Sequence, residues 1–403
     1  MEEKPIRRIT ILKTEKLYEA DGMLSSFGAT VLSCEKRGDG YAVLLDRTAF
    51  FPEGGGQTAD TGKIGDAHVS DVQIENDEIL HFTDAPVAGA VDCTLDFAER
   101  FRKMQNHLGE HLLCGAIHRL HGLDNVGFHL GADYMTFDIN GVLTEEQIKE
   151  AEREANRAVC ADVPVRCYYP QPDELRALDY RAKSEKLENV QRIRIVDAEG
   201  FDRCACCAPH LDRTGKAGLI KITSAMKYKG GMRFTALCGF DALTDYQRKQ
   251  DDIAALCALL SSKEELLCET VTARLHELGA AKHTIGLLRR SIVQRTLDSL
   301  PEQTKSVCLF EPLLDTNGLR ELATGGASKT AGVFAAFSGT DDTGYDFVCT
   351  SHHLPMKTLA PKLVSSLGGK CGGSDKMLFG HAEAKKEEIL SFFDAFTLDS
   401  TFG

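Results

Sequence analysis

At 403 residues the chain is longer than one hydrophobic core usually serves, so two or three domains are expected. A composition of 43% hydrophobic and 27% charged residues is that of a soluble globular protein, and the longest apolar runs, such as Val333 to Phe337, fall far short of the ~20 residues a membrane helix needs. The net charge of -13 argues against broad nonspecific binding to nucleic acid, because phosphate affinity comes from Lys and Arg.

The opening Met1-Glu2-Glu3-Lys4-Pro5 lacks the basic-then-apolar order of a secretory signal and the Arg/Ser richness of a transit peptide, so the cytoplasm is the expected location. From Ile9 to about Asp92, short β-like runs such as Tyr41 to Leu45 and His68 to Ile74 alternate with Gly- and Asp-bearing turns, which predicts a small β-rich, barrel-like domain over 1–92. Leu95 to His121 places Phe101, Met104, Leu108, Leu112, Ala116 and Leu120 on one stripe and predicts a long helix. A second helix is expected from Thr144 to Val159, with Thr144 as N-cap and Glu145, Glu146 and Gln147 in the first turn. Strands follow at Val163 to Tyr169, Ile193 to Asp197 and Leu219 to Ser224, closing an α+β domain over 93–240.

Between Asp241 and Leu300 leucines and isoleucines recur at helical intervals with glycine and proline nearly absent. This predicts a helical arm over 241–303, a seam either for packing on its own chain or for a homodimer. The last hundred residues restart an α/β pattern over 304–403. Strands are expected near Ser306 to Phe310, Gly332 to Ser338 and Asp346 to Thr350, and helices near Met356 to Leu367 and Ala382 to Phe396. The fold class is α+β with these four parts.

Fourteen cysteines spread over a long chain read as reduced thiols and a metal site, not as a disulfide scaffold. His107 and His111 lie at i and i+4 within the predicted helix, one turn apart on one face, a spacing that suits zinc. Cys206 and His210 supply a thiolate and an imidazole about a hundred residues later. Cys204 and Cys207 compete with Cys206: Cys207 points away in most backbone conformations, and Cys204 needs a shift in register. The segment Phe50-Phe51-Pro52-Glu53-Gly54-Gly55-Gly56-Gln57 lets the backbone come close to a ligand or another backbone and sets the Gln57 amide at a fixed point. Gly127-Phe128-His129-Leu130-Gly131 puts another polar group near the helix. Lys216 to Arg233 carries Lys216, Lys221, Lys227, Lys229 and Arg233 without an acidic residue, a basic face that the global charge hides.

A Gly-Gly-Gln loop, a helical HxxxH, a His-Leu-Gly segment and a CxxxH followed by Thr214-Gly215, in that order, resemble the editing domain of alanyl-tRNA synthetase and its free-standing relatives. Leu367-Gly368-Gly369-Lys370-Cys371-Gly372-Gly373 resembles the DHH-associated domain that follows it. The resemblance spans nearly the whole chain, with no room upstream for an aminoacylation domain, and so implies a trans-acting editing protein. Two positions depart from the family: Glu110 stands where HTATH has threonine, and CCAPH replaces CGGTH, which bears on substrate choice.

The resemblance implies one zinc ion per chain, held by His107, His111, Cys206 and His210. It also implies hydrolysis of the aminoacyl ester of tRNA(Ala) mischarged with serine or glycine. Gln57 and Glu110 are the expected catalytic groups, and Gly54, Gly55, Gly56, His129 and Arg233 the expected substrate contacts. The metal would activate a water or anchor the substrate amine. Two other classes fit parts of the sequence. His107-x-x-Glu110-His111 matches the HxxEH zinc peptidases, with Glu185 or Glu188 as third ligand. A non-catalytic tRNA-binding protein with structural zinc also accommodates the quartet.

Overall fold

The computed structural model describes residues 14–131, 134–182, 192–301 and 305–398, and these fall into two units, Met1–Ala255 and Leu256–Gly403. The architecture is α+β. In the first unit six antiparallel strands close on themselves in the order Ser26–Arg37, Gly40–Leu45, Glu78–Thr83, Ala67–Glu75, Gly62–Ile64 and Ala90–Leu95. Register shifts at Val31/Ser33 and Val69/Asp71 bend the two longest strands, which is how a short sheet curls into a barrel. Alternation along the strands sends Val43, Leu45, Ile64, Val69, Val72, Ile79 and Cys93 into a shared core with Phe50 and Phe51.

The long helix runs Phe97–His121, with Asp96 as N-cap and Gly122 in the left-handed region ending it. Met104, Leu108 and Leu112 are fully buried as the stripe predicts, each worth about 2–5 kcal/mol against alanine. Leu120 departs from the stripe and is 41% exposed, because burial along the helix ends at Ile117. Nearly every residue from Lys103 to Ile117 is buried, including the polar ones, so this helix is a central rod and not a surface helix.

Around it lie the second helix, Glu145–Ala161, and a four-stranded antiparallel sheet of order Ile220–Tyr228, Gly231–Cys238, Met135–Ile139, Asn125–Leu130. Thr144 closes a reciprocal capping box with Gln147 on the second helix, as its sequence predicts. The inner face of the sheet presents Phe137 and Phe234, stacked at 4.9 Å, to the core. A hairpin of Ile195–Ala198 and Asp202–Ala205, extended by Val165–Tyr168, flanks the helix on another side. Arg100 joins barrel and helix: fully buried, it donates to Asp60 and to the carbonyl of Ala49 at 2.6 Å.

The division between the units falls within helix Phe240–Leu260. In the second unit helix Leu267–Ser299 precedes a five-stranded sheet of order Val307–Phe310, Phe334–Thr340, Gly344–Thr350, Met377–Ala382, Lys370–Gly373. Phe334 and Ala336 face a core shared with helix Thr316–Ala327, whereas Ala335 and Phe337 face one shared with helices Ala360–Leu367 and Lys386–Leu398. The sheet is therefore the middle of three layers. The expected helix from Ala382 begins only at Lys386, since Met377–Ala382 is a strand, and the helix expected from Met356 is a short turn before Pro361 starts Ala360–Leu367. The glycine-rich segment becomes a turn at Gly368 and Gly369 followed by the edge strand Lys370–Gly373.

Candidate metal centre and active site

His107 and His111 occupy one face of the central helix, where the i and i+4 spacing brings their ring centroids to 5.2 Å. Cys206 and His210 arrive on the loop after strand Asp202–Ala205, and one donor atom from each of the four residues lies within 4.8 Å of the others. Cys206 Sγ is 3.6 Å from His107 Nε2 and 3.4 Å from His210 Nε2. A zinc ion with ordinary Zn–N and Zn–S bonds at a tetrahedral angle separates such atoms by about 3.6 Å, so the donor set fits zinc. Cys207 is exposed, and Cys204 groups with His111 and Asp202 but not with His107 and His210, so Cys206 is the thiol brought to the quartet.

The rings are held from behind. Gln57 Oε1 sits 2.9 Å from His107 Nδ1, and Asp202 Oδ2 sits 3.0 Å from His111 Nδ1, which leaves each Nε2 turned to the centre. Burial opposes ionisation of the Cys206 thiol, but the imidazoles of His107 and His210 outweigh it and hold the thiol well below its usual range. Burial pushes His210 down to about 3, so its ring is neutral and able to ligate. Burial alone raises the Asp202 carboxyl, yet Arg181 and His111 bring it down to about 2.

The Gly-Gly-Gln loop reaches the helix from the barrel side. The amide of Leu130 donates to Gly56 O at 2.7 Å, pinning the loop to the last strand of the sheet. Gly56 has φ +85°, and a Cβ there would collide with the carbonyl of Phe128. Glycine is thus required twice over at this position. The peptide groups of Gly55 and Gly56 are exposed beside the buried Gln57.

Residues 193–234 match the family described as the threonyl and alanyl tRNA synthetase second additional domain. An alanyl-tRNA editing protein, AlaX-L, from Pyrococcus horikoshii is 29% identical over 93% of this chain and 96% of its own length. The chain resembles the long AlaX proteins nearly end to end. An alanine–tRNA ligase from Ignicoccus hospitalis is 32% identical over 70% of this chain, and one from Thermofilum pendens 29% identical over 95%. This AlaX-like chain spans 32% and 44% of those two ligases.

Other expected site residues are not delivered to the quartet. Glu110 is fully buried on the helix, but its Oε1 accepts from Asn125 Nδ2 and from Cys114 Sγ at 3.3 Å. His129 and Arg233 lie on the outer face of the four-stranded sheet. Register places Thr136 beside both His129 and Thr235, and Asp138 beside Arg233, whereas Phe137 pairs with Phe128 and Phe234 on the inner face. Phe128, one residue from His129, is the side chain that stacks on His107, at 4.7 Å and 25°. Glu185 and Glu188 fall outside the described residues.

The basic segment is partly neutralised in space. Lys216 pairs with Asp212, Lys221 with Glu152, and Arg233 makes a two-pronged pair with Asp138 while lying 3.8 Å over Tyr228. Asp212 just before the segment, and Glu152 and Asp138 from far earlier in the chain, therefore offset three of its five cations. Sequence reasoning missed Arg194, which is buried and donates to the carbonyls of Cys206, Ala208 and Glu19, clamping the loop that carries Cys206 and His210. A lone arginine two residues into a predicted strand carries no signal of that role.

Proposed function

We propose that the chain is a trans-acting aminoacyl-tRNA deacylase that hydrolyses mischarged tRNA(Ala), carrying serine or glycine, at a site holding one zinc ion on His107, His111, Cys206 and His210. The observation that carries this reading is the convergence of the quartet with Gln57 in a chain similar to an editing protein over 93% of its length. When bound, zinc supplies a Lewis acid beside the scissile ester. The protein's own groups do the rest: Gln57 orients His107, the ring of Phe128 walls one side of the imidazole, and the exposed backbone of Gly55 and Gly56, held by the bridge between Gly54 and Gln57, meets the ester end of the tRNA.

In this reading 1–92 contributes the loop, 93–240 the metal site, and 241–303 and 304–403 engage the rest of the tRNA or a second copy. Helix Leu267–Ser299 leaves Val271, Leu278 and Ile285 exposed at i, i+7 spacing, with Leu275 and Leu288 exposed beside them, which supports a homodimer seam. Among the described residues no helix is long and apolar enough to cross a membrane. The purified chain is expected to release serine from Ser-tRNA(Ala) and to spare Ala-tRNA(Ala). Undiminished release after Cys206→Ala and His210→Ala would overturn the metal assignment, and no release from any mischarged tRNA would leave a binding protein.

A further inference from the structure

Two of the three imidazoles of the quartet share the central helix, yet the groups behind them differ. His107 has the neutral amide of Gln57, and His111 has the carboxylate of Asp202. The second partner of each group accounts for the difference. The Nε2 of Gln57 is buried with no hydrogen-bond partner among the described residues, so nothing competes with aiming its oxygen at His107. Asp202 Oδ1 instead accepts from Arg181 Nε at 2.7 Å, and the two side chains are only 2% and 9% exposed. Both neighbours of Asp202 are donors: the guanidinium always, and Nδ1 of His111 whenever Nε2 faces the metal. A carboxylate accepts from both at once, and an amide cannot.

The surrounding structure is built to hold this arrangement. Gly115 lies one turn beyond His111, and a Cβ there would stand 2.8 Å from Asp202 Oδ1, so the missing side chain makes the carboxylate's room. Arg181 is fixed at its backbone, donating to Arg203 O at 2.8 Å and accepting from Ala205 N at 2.9 Å. Its Nη2 also reaches the carbonyl of His111 at 3.4 Å. The pair thus ties the hairpin, the helix and the imidazole together.

We propose that Arg181 and Asp202 form a positioning dyad that locks His111 as an Nε2 donor with Nδ1 protonated, and that the carboxylate at position 202 sets the metal affinity of the quartet. The inference rests on the quartet being a zinc site, and its test reads metal binding, not deacylation.

Zinc affinity is measured by competition with a chromophoric chelator, with circular dichroism as the check of fold. Asp202→Asn is expected to bind zinc about 10–100-fold more weakly. Its amide must either turn Nδ2 to His111, driving the ring proton onto Nε2, or turn it to Arg181 and set donor against donor. Adding Arg181→Met frees the amide to offer its oxygen to His111, and the double variant is expected to regain most of the lost affinity. A merely structural role predicts the reverse, since a second buried contact is gone. Wild-type affinity in Asp202→Asn, or a double variant no tighter than the single one, would overturn the proposal. A readout independent of any variant is the nitrogen NMR of His111 in the zinc-loaded wild type. A protonated Nδ1 with a ligated Nε2 is expected, and the opposite tautomer would sink the dyad. A wild-type chain with no zinc affinity would remove the metal reading itself.

Discussion

Glu110 gives the sharpest test of how the helix works. Its carboxylate is fully buried, accepts from Asn125 Nδ2 and from Cys114 Sγ, and so anchors Asn125, whose Oδ1 accepts from Gly127 N at 3.0 Å. The next residue is Phe128, stacked on His107. The sequence Glu110, Asn125, Gly127, Phe128 is thus a line of contacts that places an aromatic wall against the His107 imidazole. Glu110→Gln keeps an oxygen that can accept from Asn125, so kcat/KM for Ser-tRNA(Ala) is expected to stay within about threefold of wild type; a general base at this position contributes ~10²–10⁴. Glu110→Ala leaves the amide of Asn125 and the Cys114 thiol without this acceptor, at about 1–3 kcal/mol, and should lower the unfolding midpoint in urea. Single-turnover deacylation with zinc content matched between variants reads the first effect. A hundredfold loss in Glu110→Gln, with metal and fold intact, would refute the positioning role and restore Glu110 as a proton-transfer group.

Gln57→Ala should leave the His107 Nδ1–H without its acceptor and weaken zinc binding by about 10–100-fold, read by chelator competition. Gly56→Ala forces a Cβ into the carbonyl of Phe128 at a positive φ, and should abolish most deacylation while far-UV circular dichroism is unchanged. His81 lies fully buried in the barrel between Thr48 Oγ1 and Val43 O, and burial brings it down to about 4 from 6.5. Its folded form stays neutral where the unfolded chain protonates, so its share of stability is intact above pH ~6.5 and is lost as pH falls to about 4, up to about 3 kcal/mol. The slope of unfolding free energy over that window should flatten in His81→Gln, and an unchanged slope would assign it to other groups.

The convergence of His107, His111, Cys206 and His210 was legible because each half is local: an i, i+4 pair on a strongly periodic helix, and a CxxxH within one loop. What stayed hidden depends on parity and on distance. Asn125–Leu130 sets Val126, Phe128 and Leu130 in alternation with Asn125, Gly127 and His129, a short period-2 signal that sequence reasoning did not use. Once it is a strand, a one-residue step decides which face a side chain joins. That step puts Phe128 on His107 and His129 on the outer face. The pairing of Arg233 stayed hidden for a different reason, since its partner Asp138 lies 95 residues earlier and only the sheet register brings them together. The strands Met377–Ala382 and Lys370–Gly373 were missed because glycines and a lysine leave no period-2 apolar signal.

The same distinction explains where the site sits. Gln57 belongs to the barrel by chain order but acts on the helix, so the orientation of His107 depends on how the barrel docks. The docking is fixed nearby: Asp60, three residues beyond Gln57, accepts from Arg100 on the helix and from the amide of Phe51 at 2.7 Å, and Lys103 Nζ donates to Ala59 O at 2.6 Å. Breaking a buried pair such as Asp60–Arg100 costs about 3–5 kcal/mol, far more than an exposed contact would. A geometric tie of that strength beside the Gly-Gly-Gln loop makes the barrel part of the candidate metal site rather than an appendage to it. The hairpin bearing Asp202 plays the matching part at His111. Each of the two helical histidines is thereby oriented by a different neighbour of the helix, and the quartet forms only where barrel, helix and hairpin meet.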